Sequence, residues 1–244
     1  MLLPQMLEFV KHIGITVEHG GKPVKVDRIE KPLLRSINPE RTHHDGTLWA
    51  WGSKGRPVAF YKLFLRGQGT RYWAHTFAST ATAATGRVTA SRSGRQVWVP
   101  RTAGIELKPV DDAPPPAAKQ VERLQQMKAL AARFSAHEFW NPNNTRYELR
   151  LIPNPVHRYS DAKSGLIDGS VFIFTHNQAP EIIMFIEASQ LEADELVWQY
   201  GLAKTGGAEM HVLLDDKKVW SRPRANRRSR RPSDVYYVID ERSQ

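Results

Sequence analysis

Apolar residues along this chain gather in short runs of strand length, most of them alternating with polar positions and separated by glycine, proline, serine or aspartate. In the first half the runs are TLWAW (47–51), PVAFYKLFL (57–65), RYWAHTFAS (71–79), RVTAS (87–91) and QVWVP (96–100). The second half offers SVFIF (170–174), EIIMFIEAS (181–189), ELVWQYGLA (195–203), EMHVLL (209–214) and KVWSR (218–222), and SDVYYVID (233–240) closes the chain. A period of two with β-branched and aromatic residues predicts β-strands. The links SRSG (91–94) and DDKK (215–218) are hairpin-turn material, which makes consecutive strands antiparallel. PVAFYKLFL and EIIMFIEAS are apolar on both alternating faces, so each needs cover on both sides of its sheet.

A helical period stands out between the halves. After DDAPPP (111–116), Ala117, Val121, Leu124, Met127, Ala131 and Phe134 recur at steps of three and four, with Lys119, Glu122, Arg123, Gln126 and Arg133 opposite. The pattern predicts an amphipathic helix over about 116–138, roughly 30–35 Å long at 1.5 Å per residue. Asn141-Pro142 ends it.

The two sets of strands also resemble each other. DGTLWAWGSKGRP (45–57) faces DGSVFIFTHNQAP (168–180), with the Asp-Gly and the proline in register and large rings alternating in both. Trp73, Ala78 and Thr80 match Trp198, Ala203 and Thr205; Val97-Trp98 matches Val219-Trp220; INP (37–39) is echoed by PNP (153–155). An internal duplication accounts for these matches. A half of about 70 residues buries only some 60% of its unfolded surface, too little to stand alone without disulfides or metals. The expected fold is therefore α+β: two duplicated antiparallel β-meander halves related by a pseudo-twofold, with one long helix packed on the sheet. The expected divisions are an N-terminal extension (1–31), a first β-rich repeat (32–110), a proline linker and helix (111–145), a second repeat (146–221) and an arginine-rich tail with a final strand (222–244). Residues 32–221 are expected as one compact unit.

LLRSINPE, DGTLWAWGSKGRP, ERLQQMKALAARF, ELRLIPNPVHRYSD and DGSVFIFTHNQAPEIIMFIEA together resemble a family of uncharacterised proteins abundant in planctomycete bacteria. The resemblance spans about residues 30–221 and is most specific from Leu149 to Ala188. That family has no established activity, so the resemblance implies no catalytic residues here. Its members often carry an export signal.

Composition changes this picture in two places. Cysteine is absent, which removes disulfides, thiolate nucleophiles and Cys-containing zinc sites. The net charge of +10 looks like a nucleic-acid signature until it is located. Arg222, Arg224, Arg227, Arg228, Arg230 and Arg231 fall within RPRANRRSRR, which holds no acid, and the charge is only +4 without them. Clustered guanidinium groups repel one another and attract polyanions, so nucleic acid is a candidate partner for this segment. No apolar run is long enough for a transmembrane segment. The opening MLLPQMLEFVKH is too interrupted for a secretory core, which makes the cytoplasm the default expectation and export the alternative.

Candidate chemistry is sparse. His43, His44 and Asp45 combine imidazoles with a carboxylate, as metal and proton-transfer sites do. Asp168 occupies the same Asp-Gly position with no histidine before it, so a turn role explains both aspartates where a catalytic role explains one. HEFWN (137–141) lacks the second histidine of a zinc-protease helix. Glu187 closes an apolar strand where the first copy has Phe64; a buried carboxylate there is a second weak catalytic candidate. His157, His176 and His211 are scattered through the second copy, and Trp49, Trp51, Trp73 and Trp198 read as packing residues. Neither GQGTR (67–71) nor any other stretch forms a phosphate loop or a nucleophile elbow, and no cofactor or metal site is expected. The leading expectation is a non-catalytic binding or scaffold protein with an unidentified ligand or protein partner. Polyanion binding through 222–231 and a hydrolase or metal enzyme around His43, His44 and Asp45 are the alternatives.

Overall fold

The computed structural model describes residues 2–52, 54–141, 143–190, 195–225 and 231–243. In chain order its elements are α1 (Leu3–Lys11), β1 (Ile13–His19), β2 (Lys22–Val26), β3 (Leu34–Asn38), β4 (His43–Trp51), β5 (Ala59–Arg66), β6 (Tyr72–Ser79), β7 (Val88–Arg92) and β8 (Arg95–Trp98). There follow β9 (Lys108–Pro109), α2 (Gln120–Ala132), β10 (Phe134–Trp140), β11 (Thr145–Leu151), β12 (His157–Asp161), β13 (Leu166–His176) and β14 (Ala179–Gln190). The last elements are β15 (Leu196–Lys204), β16 (Glu209–Leu214), β17 (Lys217–Arg222) and β18 (Tyr236–Arg242). Among the described residues, no helix is long and apolar enough to cross a membrane.

This corrects the expected α+β class. The protein is mostly β, with 53% strand against 13% helix, and both helices are short. The predicted helix over 116–138 shrinks to α2 for two reasons. At its start, Ala117 and Ala118 stay outside the helix: the Ala117 N–H donates to the Gln126 side chain, and Arg123 donates to the carbonyls of both alanines. At its end, Phe134 opens β10, whose aromatic-rich run gains two strand neighbours, β11 and β16. The apolar stripe shortens accordingly. Met127, Leu130 and Ala131 are buried, whereas Val121 is 62% exposed.

The chain divides into two compact units where the sequence pointed to one. The first comprises Met1–Ser53, Pro57–Ile105 and Arg227–Gln244; the second comprises Lys54–Arg56 and Glu106–Asn226. Each has its own buried cluster. Trp49, Trp51, Tyr61, Phe77 and Trp98 anchor the first. Phe172, Phe174, Ile182, Met184 and Trp198 anchor the second.

Both units are wired alike. In the first, one sheet runs β2-β1-β7-β8 and another runs β18-β6-β5-β4-β3. In the second, β11-β10-β16-β17 repeats the first order and β9-β15-β14-β13-β12 repeats the other, with a short β11–β13 pairing joining them into one sheet of nine strands. Helix α1 precedes the β1–β2 hairpin as α2 precedes β10–β11, so residues 3–26 build elements that have counterparts in the second unit. A single 3-10 turn follows β3 and β12 in turn, ending on a left-handed residue, Thr42 (φ 57°) or Gly165 (φ 75°). Thr80 Oγ1 donates to the Pro57 carbonyl and Thr205 Oγ1 to the Pro180 carbonyl, which explains why these Thr and Pro positions recur together.

Candidate functional site

The two Asp-Gly aspartates are strand residues, not turn residues. Asp45 lies in β4 and accepts two bonds from Arg35 of β3, from Nε at 3.0 Å and from Nη2 at 2.6 Å. Asp168 lies in β13 and accepts from Arg158 of β12 at 2.8 and 2.6 Å, and from Arg123 of α2 at 3.0 Å. Arg35 and Arg158 each precede their aspartate by the same interval, so one ion pair is written twice. Burial alone would raise the Asp45 pKa, but the Arg35 guanidinium outweighs it and holds the carboxyl below its ordinary value. A carboxylate fixed in this way is not a free base or ligand.

The histidines beside it are likewise occupied. His43 packs on the Phe64 ring at 4.2 Å, and burial, reinforced by Lys62, Arg41 and Arg66, pushes its pKa down to about 3. The His44 Nε2 donates to the Gly67 carbonyl at 2.7 Å. Among the described residues no group of three or more His, Asp or Glu is placed to hold a metal. Glu187 is fully buried and accepts from Arg56 Nε and Nη2 at 2.5 and 2.6 Å and from Tyr159 Oη at 2.6 Å. That closed triad leaves the carboxylate no access to a substrate. His157 and His176 pack beside Tyr159 and Tyr147, while His211 contacts Glu209 and stacks on His137.

The arginine segment is only partly described: Arg227, Arg228 and Arg230 lie outside the described residues. Arg224 donates to the Phe139 carbonyl and to the side chains of Asn141 and Asn144, and lies over the Trp140 ring. It is a structural clamp. Arg222 lies over Trp220 and faces the feature described next. Arg231 precedes the stretch that leads into β18, its N–H donating to Asp234.

In the first unit the C-terminal segment closes the gap between β8 and β6. Val99 and Arg101, just past β8, donate backbone N–H to the carbonyls of Pro232 and Ser233. Trp98 Nε1 donates to the Asp234 carbonyl at 2.7 Å, and Ser79 N–H to that of Val235. The segment then continues as β18, paired with β6 from Tyr236↔Ala78 to Arg242↔Tyr72. Trp98, stacked on Phe77 at 5.6 Å, ends fully buried.

At the same place in the second unit the cover is far shorter. β9 pairs only with Gln199 and Tyr200 of β15, and the Val110 N–H reaches the Trp198 carbonyl. An open groove of about 320 Å³ remains, lined by Tyr200 and Leu202 of β15, Glu106 just before β9 and Lys108 at its start, and Lys218, Trp220 and Arg222 of β17. Trp220 is the repeat partner of Trp98, paired with Val212 as Trp98 is paired with Ala90. Its Nε1 is buried and finds no hydrogen-bond acceptor among the described residues. Two residues beyond Leu202, Lys204 Nζ donates to the carbonyls of Ala208 and Pro223, tying the end of β15 to the residue after β17; burial lowers its pKa to about 8.

Sequence reasoning missed this groove, although Trp98 and Trp220 were matched as repeat partners. The available signal was the strand SDVYYVID, which follows the second set of strands yet, among the described residues, pairs with β6 of the first unit.

No family model, no curated protein and no solved structure matches the chain.

Proposed function

We propose that this is a non-catalytic binding protein whose ligand enters the groove of the second unit. One observation carries the reading: the gap that the chain's own C-terminal segment fills in the first unit has, among the described residues, only two residues of paired cover in the second. The candidate carboxylates support it from the other side, since Asp45, Asp168 and Glu187 are each committed to arginines. We infer also that the units descend from one duplicated module. Their common strand order and the recurring Asp–Arg and Thr–Pro bonds support that descent.

The test is a mixed library of small molecules and short peptides screened by amide chemical-shift changes on the intact protein. The reading expects hits to cluster on Leu202 and residues 218–222. Hits concentrated around His43–Asp45, or none at the groove, would overturn it.

A further inference from the structure

A groove between two strand edges selects its occupant by backbone geometry as much as by side chains. Antiparallel pairing alternates which residues of a strand present their N–H and C=O to a given side. On β15 the Trp198 carbonyl already faces the β9 side, so Tyr200, Leu202 and Lys204 present their backbone groups there too. Cover by β9 stops at Tyr200. Leu202 thus stands where Phe77 stands in the first unit, and Phe77 is paired with Tyr237 of the closing strand. The opposite wall carries Trp220 with its indole N–H unsatisfied among the described residues, where Trp98 is satisfied by the Asp234 carbonyl just before β18. The β15 wall therefore asks for an extended backbone and the Trp220 wall for one carbonyl.

Charge narrows the occupant further. Lys108, Lys218 and Arg222 line the groove against the single acid Glu106, which already pairs with Lys108 at 3.5 Å. Two exposed cations are left over. The segment that fills the matching gap in the first unit carries Asp234 just before β18, and Asp240 and Glu241 beside Arg242 within it.

We propose that the groove receives an extended acidic peptide segment of a partner protein, added as a short strand against β15 with one backbone carbonyl accepting from Trp220 Nε1. The inference rests on the binding reading above and gives it a ligand chemistry. Adding a strand to an uncovered edge draws affinity from main-chain hydrogen bonds and specificity from alternate side chains.

The probe is a fluorescent peptide of sequence SDVYYVID, the chain's own residues 233–240, titrated into the full-length protein by anisotropy. Saturable one-to-one binding is expected, with the protein remaining monomeric. Reversing both wall charges, Lys218→Glu with Arg222→Glu, should weaken binding at least tenfold, and these exposed positions leave the fold intact by circular dichroism. Trp220→Phe should weaken it about fivefold, the loss of one neutral hydrogen bond. The same peptide N-methylated at alternate amides should not bind. The inference is overturned by an absence of saturable binding, by binding indifferent to the charge reversal, or by an N-methylated peptide that binds equally well. Self-association of the protein through residues 232–242 would overturn it in favour of a second copy as the occupant. Should the library hits cluster at the groove while this peptide fails, the strand chemistry falls and the binding reading stands.

Discussion

Replacing Asp168 by alanine and Asp45 by alanine perturbs the same ion pair at two depths. The Asp168 side chain is 2% exposed and its partner Arg123 only 12%, so removing the carboxylate strands a guanidinium that cannot turn fully to water. Three charge-assisted bonds go with it. Breaking a buried pair from one side costs about 3–5 kcal/mol, a large share of a typical domain's 5–15 kcal/mol. Arg35, by contrast, is 41% exposed and recovers hydration when Asp45 is lost. That substitution should cost about 1 kcal/mol, at the level of a surface ion pair with two good bonds. Urea unfolding followed by tryptophan emission and far-ultraviolet dichroism measures both. Equal costs for the two variants, or a loss below about 1 kcal/mol for Asp168→Ala, would refute the claim that depth sets the value of this duplicated pair.

Further outcomes follow from other buried groups. Glu187→Ala leaves Arg56 and Tyr159 without their acceptor in a buried triad, and should destabilise by about 3–5 kcal/mol in the same unfolding assay, whereas a neutral loss would contradict the triad. His75 is 1% exposed, and burial together with Arg92 lowers its pKa from 6.5 to about 4. Between those values the unfolded chain binds the proton more readily than the folded one, so stability rises with pH across the window. On that account about 3 kcal/mol is lost as pH falls from 6.5 to 4, and a His75→Asn variant should show a flatter unfolding profile there. Thr42 holds a left-handed conformation that β-branched residues avoid; Thr42→Gly should raise stability by about 1 kcal/mol, and a lowered melting temperature would count against it.

The strands were legible because they rest on local signals. Period-two patterning marks a strand wherever its neighbours lie, and Asp45 and Asp168 recur because each answers an arginine ten residues earlier. What local signals do not carry is partnership. Arg35 and Arg158 were passed over because an ion pair across a hairpin leaves no periodic trace. The helix was overextended because Phe134 fits both a helical stripe and the start of β10, and only pairing with β11 and β16 decides between them. The division into two units escaped notice because each gains elements that the repeat boundaries left outside, α1 with β1, β2 and β18 in the first, α2 with β10 in the second. Those additions supply the buried surface that about 70 residues would lack. The groove is harder still to see in a sequence, being defined by long strand cover in one unit and, among the described residues, by the two-residue cover of β9 in the other.

Amide hydrogen exchange compares the two gaps without any ligand. Phe77 and Leu202 occupy matching positions on matching strands, one paired with β18 and the other beyond the reach of β9. The account predicts that the Leu202 amide exchanges at least about a hundredfold faster than that of Phe77, as an uncovered edge does beside a paired strand. Equal, strong protection at both would mean that the second gap is already filled, and the proposed binding groove would not exist.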